Sequence, residues 1–262
     1  MEILIGIRVA CAALVLGVPL GAFANCTVVW APPNEELAAS GWFSGKVYTG
    51  GQARVSYDAD LDAIAISQAK GVPKQLAEHR PYLPWARGNT ARLTVEMFVA
   101  EDFIPNKNSR LAIGLRGGAA AISKKISGGA TPDVQDGWSF RINHNAQFRL
   151  NAYSYHLNRA TEFGTGYFLA SSFPKGAWMT IELDVTLNVP GSADGTAALT
   201  VRTPEGRLYD NVIVENLEWR RDGSWDSFGI ILTDVVKRPP VQDQRILYRN
   251  FKLEVGAGLS CS

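Results

Sequence analysis

The run Trp178–Leu187 alternates strictly. Met179, Ile181, Leu183, Val185 and Leu187 fall on one side, and Thr180, Glu182, Asp184 and Thr186 on the other. A period of two means an extended strand with one buried face and one face that is wet or binds something. The same signal recurs in Arg92–Val99, Leu111–Leu115, Trp138–Asn143, Gln147–Tyr155, Thr196–Thr203, Asp210–Val214, Phe228–Leu232 and Arg245–Val255. Turn residues punctuate these runs at Pro190-Gly191, Asp194-Gly195, Pro204-Glu205-Gly206, Asp222-Gly223 and Pro239-Pro240. Many short strands with such punctuation predict a single all-β domain, a two-sheet antiparallel jelly roll of the concanavalin A-like sandwich type. Residues 31–90 are harder to read. Within them Leu61–Lys70 or Lys74–Glu78 reads as a short helix.

The first 24 residues stand apart from this pattern. A lone Arg8 precedes an apolar run from Val9 to Val18, and the segment ends in Ala22-Phe23-Ala24. That is the layout of a secretory signal peptide, and the apolar run is too short to span a bilayer. The expectation is a signal peptide over 1–24, one domain over 25–262, a secreted or periplasmic protein, and no membrane association after cleavage. Cys11 leaves with the signal; Cys26 and Cys261 remain at opposite ends of the mature chain. In an oxidising compartment two such cysteines are expected to pair, which requires the chain ends to lie side by side.

Charge narrows the partner. A formal net charge of +1 excludes a chain coated in nucleic acid. The charge is uneven, however. Lys107, Arg110, Arg116, Lys124, Lys125, Arg141, Arg149 and Arg159 face only Asp133 and Asp136 between residues 107 and 159. Such a segment predicts an anionic partner. Phosphate loops, Gly-x-Ser-x-Gly and His-Glu-x-x-His are absent, and the chain has three histidines, so no metal and no cofactor is expected. Glu182 and Asp184 share a strand face, the one arrangement a glycoside hydrolase could use.

Two strands sharpen the picture. Trp138, Phe140 and Ile142 alternate with Ser139, Arg141 and Asn143, while Phe148, Leu150 and Ala152 alternate with Gln147, Arg149, Asn151, Tyr153 and Tyr155. If the strands form a hairpin, an odd loop is needed to put both polar sets on one face. The loop His144-Asn145-Ala146 would pair 143 with 147 and set Arg141 directly against Arg149, an opposition that a bridging anion relieves. Hydroxyls, amides, phenols and guanidinium groups on one surface suit a sugar chain bearing carboxylates.

These residues resemble a known family. Gly137-Trp138-Ser139-Phe140-Arg141 followed by Tyr153-Ser154-Tyr155 is similar to the Gly-Trp-Ser-x-Arg … Tyr-x-Tyr core of family 14 polysaccharide lyases, jelly-roll alginate lyases to which glucuronan lyases are structurally similar. Phe173–Trp178, Leu187–Gly195 and Leu247–Leu253 resemble further signatures, so the likeness spans about residues 90–255. The resemblance implies β-elimination on an anionic polysaccharide, alginate before other polyuronates, with no cofactor and a monomeric enzyme. Arg141 and Ser139 would hold the substrate, and Tyr153 or Tyr155 would exchange protons, with cations lowering the phenol from its ordinary ~10. Arg149, Asn151, Asn143, Arg110 and Arg116 would complete the binding surface, with His144 or His156 as fallback proton carriers. One departure stands out. Aligned without gaps, the family's site lysine becomes Leu111; Arg110 would then reach the site only through a bulge, and Arg116 is another substitute. The remaining alternative is a non-catalytic carbohydrate-binding protein of the same fold.

Overall fold

The computed structural model describes residues 26–39, 54–73, 75–79, 86–105, 109–117, 137–161, 163–222, 227–236 and 238–256. Fifteen strands and one short helix, α1 (Asn34–Ala39), make up the described chain. The first part holds β1 (Thr27–Trp30), β2 (Arg54–Asp58), β3 (Ala63–Gln68), β4 (Gln75–His79) and β5 (Ala86–Arg87). Then follow β6 (Thr90–Val99), β7 (Ser109–Gly117), β8 (Trp138–His144), β9 (Leu150–Tyr155) and β10 (Thr165–Phe168). The last five are β11 (Trp178–Thr186), β12 (Gly195–Arg202), β13 (Leu208–Leu217), β14 (Ser227–Val236) and β15 (Gln244–Gly256). All pairings are antiparallel. One sheet runs β13-β12-β11-β6-β15-β3-β2, with β1 added to β15; the other runs β10-β9-β8-β7-β14-β4, with β5 added to β14. The two-sheet jelly roll expected from the alternation is therefore the fold. Among the described residues no helix is long and apolar enough to cross a membrane.

The core lies between the sheets. Leu93, Val95, Met97, Ile181, Leu183, Leu199 and Leu253 meet Leu115, Trp138, Phe140, Ile142, Leu150 and Ile230, all buried in one cluster. Each such side chain taken from water contributes roughly 1.5–3 kcal/mol. Trp219 caps one end, 5.1 Å from the ring of Trp138. Each of the nine runs with clear alternation contains a strand, although Gln147–Arg149 at the head of one lies in a loop. The helix expected in 61–70 or 74–78 did not: those residues form β3 and β4. The reason for β3 is burial on both faces. Ile64 and Ile66 enter the core, while Ala63 and Ala65 are sealed on the outer side by Leu247, Phe98 and Trp178. A strand covered twice loses its polar phase, and its sequence then resembles a short buried helix.

Two polar details hold the ends of the strands. The fully buried side chain of Asn188 accepts N–H bonds from Trp219 and Arg220 and donates to the carbonyls of Val189, Ser192 and Arg220. It ties the turn around Pro190-Gly191 to the segment that carries Trp219. On the other sheet, β7 lies very close to β8 at Gly114. A Cβ there would collide with the carbonyl of Phe140 and stand 2.5 Å from the Cα of Arg141. A glycine in a strand interior often marks such an approach.

Two outcomes are expected. Asn188→Ala strands several buried backbone groups at about 1–3 kcal/mol each, so chemical denaturation should show a loss of roughly 3–5 kcal/mol. Gly114→Ala should destabilise by about 1–3 kcal/mol through overpacking and displace Arg141; an unchanged unfolding midpoint would show that β7 and β8 part freely.

Candidate active site

The outer face of the seven-stranded sheet is built by register. In β8 and β9, Ser139 pairs with Tyr155, Arg141 with Tyr153 and Asn143 with Asn151. Since Trp138, Phe140, Ile142, Leu150 and Ala152 enter the core, these six side chains share the opposite face. The odd-loop argument holds in its parity but not in its length. The loop is five residues, 145–149, and pairing begins at His144 with Leu150. Asn145 organises it: its side-chain oxygen accepts the N–H groups of Gln147 and Arg149, and its carbonyl accepts that of Phe148. Phe148 adopts a positive φ of 54° and drops its ring into the core beside Phe103 and Phe173. Burying that ring is what lengthens the loop.

The expected opposition of Arg141 and Arg149 is therefore absent. Arg149 instead turns to the sheet edge, where its Nε donates to the Leu169 carbonyl (2.6 Å) and its terminal nitrogen to that of Ala170 (2.9 Å). Its fork fastens the segment after β10. Tyr153 is the residue that faces Arg141.

Neighbouring strands widen the surface. Arg116 of β7 pairs with Ser139, and Gly114 with Arg141. Gly166 of β10 pairs with Tyr153, and Phe168 with Asn151. β7 pairs with β14 from Ser109 to Gly117 without a bulge. Position 110 thus has the parity of Gly114 and Arg116, and position 111 that of the buried Ile113 and Leu115. No bulge is needed to give position 110 the parity of the site face.

Arg141 sits over both phenols, its guanidinium carbon 5.4 Å from the ring centre of Tyr153 and 5.1 Å from that of Tyr155. Arg159 approaches Tyr155 equally, at 5.1 Å, and is held by the carbonyls of His156 and Thr161. Both are cation–π geometries. The sequence marked Arg159 only as part of a basic stretch; a loop returning after β9 brings it to the site. The tyrosine rings meet edge to face, 5.3 Å apart. Ser139 and Tyr155 are buried, whereas Arg141 and Tyr153 are half-buried.

Burial pushes the Tyr153 phenol up, and so does its contact with Tyr155, while Arg141 and the Gly164 amide draw it down less strongly. The expected depression by cations is thus outweighed. This phenol keeps its proton at neutral pH. The oxygens Ser139 Oγ, Asn143 Oδ1 and Asn151 Oδ1 are buried on this face with no hydrogen-bond partner among the described residues.

Other candidates lie elsewhere. His144 stacks on Phe148, 4.9 Å away, and burial lowers it. His156 packs against Trp219 and gives Nδ1–H to Asn158, whose oxygen also accepts the Glu218 amide; burial lowers it too. Both are neutral groups of the interior. Glu182 and Asp184 project from the other sheet and are paired with Arg202 (3.0 Å) and Arg92 (2.7 Å), which removes them as a hydrolytic pair. Among the described residues no group of His, Cys, Asp and Glu could hold a metal ion. Residues 1–24, expected to be a signal peptide, and Lys107, Lys124, Lys125, Asp133, Asp136 and Cys261 lie outside the described residues.

Comparison with known proteins bears on the fold and the family. No curated protein matches the chain in sequence. Among solved structures, the marine alginate lyase of Aplysia kurodai is similar with a TM-score of 0.65 at 16% identity, covering 87% of this chain and 98% of that one. The endo-β-1,4-glucuronan lyase of the fungus Trichoderma reesei gives 0.57 at 13% identity, covering 88% and 96%. An endo-1,3-β-glucanase of Streptomyces sioyaensis gives 0.60 at 10% identity, covering 89% and 98%. Lyases and a glucanase share the fold, so the fold alone does not choose the chemistry. The sequence does choose a family: residues 55–235 match the model of polysaccharide lyase 14, and the chain belongs to that family.

Proposed function

We propose that this protein is an exported lyase that cleaves a polyuronate, alginate first, by β-elimination. The observation that carries the reading is Arg141 set directly opposite Tyr153 and over both phenols, in a chain of the polysaccharide lyase 14 family. The alginate and glucuronan lyases named above support a uronate polymer as substrate. The C5 proton of a uronate is scarcely acidic while the adjoining carboxylate is charged. Arg141, with Ser139 and Arg116 beside it, neutralises that carboxylate and the charge that develops on it. Arg110, at a position of the same parity, is a further cation for the polymer, and the neutral amides of Asn143 and Asn151 serve its hydroxyls.

The two phenols divide the proton work. Tyr155, with the guanidinium groups of Arg141 and Arg159 against its ring, is the base that takes the C5 proton. The electrons of the C5–H bond form the C4–C5 double bond, and the C4–O bond breaks. Tyr153, which keeps its proton, donates it to the departing oxygen. A proton passing from Tyr155 to Tyr153 through their contact restores the starting state.

Arg141→Ala should lower turnover by roughly 10²–10³, the scale of losing one preorganised donor, and Arg141→Lys should recover only part. Tyr153→Phe and Tyr155→Phe should each lose nearly all elimination, followed as ultraviolet absorbance of the unsaturated product, while polymer binding persists. On the alkaline side the rate should hold until pH rises beyond the ordinary phenol value of ~10, because Tyr153 must stay protonated and its environment raises it. Near-normal elimination by both phenylalanine variants would remove tyrosine from the mechanism. The second reading, a non-catalytic binding protein, is motivated by Leu111; it wins if the wild type binds a polyuronate and never cleaves it.

Export and a Cys26–Cys261 bridge belong to the same proposal. β1 pairs with β15, Thr27 opposite Val255, and Cys26 Sγ lies 2.5 Å from where a Cβ on Gly256 would stand. Cys261 follows shortly after in sequence. Closing so long a loop would stabilise by roughly 3–5 kcal/mol. Peptide mapping without reductant should recover the two cysteines in one linked pair that separates on reduction; labelling of both as free thiols excludes the bridge.

A further inference from the structure

Beside the row Arg141–Tyr153–Gly166 runs a second row, Asn143–Asn151–Phe168, across β8, β9 and β10. The rows are two residues apart along each strand, about 7 Å. Phe168 is 49% exposed. Its neighbour Tyr167 packs against the core, so alternation turns Phe168 to the site face. An isolated exposed aromatic on an edge strand needs no explanation by itself. Its surroundings supply one. Asn151 is 8% exposed, and its Oδ1 and that of Asn143 are buried without a hydrogen-bond partner among the described residues. Buried amide oxygens of this kind are costly unless a ligand satisfies them. Gly166 completes the arrangement. A Cβ there would stand 2.8 Å from Asn151 Nδ2 and 3.6 Å from the Tyr153 ring, so any side chain would close the lane between Phe168 and Tyr153.

We infer that Phe168, Asn143 and Asn151 form a sugar subsite next to the reacting row, with Phe168 as the platform for the apolar face of a pyranose ring. The inference rests on the polyuronate reading above and adds its selectivity. An aromatic ring stacks on a sugar face that presents only C–H groups. The β-mannuronate and β-glucuronate chairs present such a face. The α-guluronate chair carries axial oxygens on both faces and fits the platform poorly. Phe168 thus selects β-linked uronates at this position, while the amides of Asn143 and Asn151 take the hydroxyls at the ring edge.

The test uses the mature protein with polymannuronate, polyguluronate and glucuronan, reading both elimination kinetics and mobility in affinity gels containing each polymer. Phe168→Ala should raise KM for polymannuronate or glucuronan about 10-fold, the scale of one aromatic stacking contact. Its kcat should stay within about 2-fold, since the platform lies outside the reacting row. Retardation in the matching gel should fall alongside. Phe168→Tyr, which keeps the ring, should behave as wild type. Polyguluronate, if used at all, should be insensitive to the alanine change. Unchanged KM and unchanged retardation in Phe168→Ala overturn the subsite while leaving the lyase reading intact. A wild type that binds but does not eliminate overturns the lyase reading, and the gels still decide the subsite. A wild type that binds none of the polymers overturns both.

Discussion

The hairpin of β8 and β9 has one obligation from which the rest follows. Trp138, Phe140 and Ile142 on one strand and Leu150 and Ala152 on the next must all enter the core. Once they do, Ser139, Arg141 and Asn143 have nowhere to go except the outer face, alongside Asn151, Tyr153 and Tyr155. A slip of one residue would put a guanidinium in the core and a tryptophan in water. The hydrophobic effect thus assembles the polar site without any polar interaction having to be strong. Gly114 then lets β7 come close enough for Arg116 to join the same surface.

Electrostatics on that surface are a balance. Positive charge from Arg141 draws the Tyr153 phenol down, but burial and Tyr155 push it up and win. Its neighbour Tyr155 stands in different surroundings. Tyr155 lies buried with two guanidinium groups near its ring; Tyr153 is half-open and receives the Gly164 amide. Two like groups in unlike surroundings can take opposite halves of a proton transfer.

Much of this was legible in the sequence, for a definite reason. Strands with one wet face write their parity into the chain, and nine such runs, the odd hairpin loop and the shared face of Ser139, Arg141, Tyr153 and Tyr155 could be read from it. Parity says nothing about length, so a three-residue loop was expected where five residues stand. The extra pair exists because Phe148 is buried at positive φ, a tertiary demand with no local signal. For the same reason Arg149 was expected opposite Arg141 and is found fastening carbonyls at the edge. β3 was read as helix because both its faces are covered. β10 was missed because Gly166, which keeps Tyr153 accessible, also erases the alternation that would have marked the strand.

The order of strands carries a consequence for how the protein is made. β15, the last strand described, lies inside its sheet, between β6 and β3, and also holds β1. The eight-stranded sheet cannot close until the C-terminal segment has been synthesised. Until then β6 and β3 each offer an unpaired apolar edge to any neighbouring chain. Contacts between residues so far apart in sequence also slow the search for the native pairing. The vulnerable species is therefore the unfinished chain, and a truncation that spares every site residue but removes β15 leaves a sheet split through its middle.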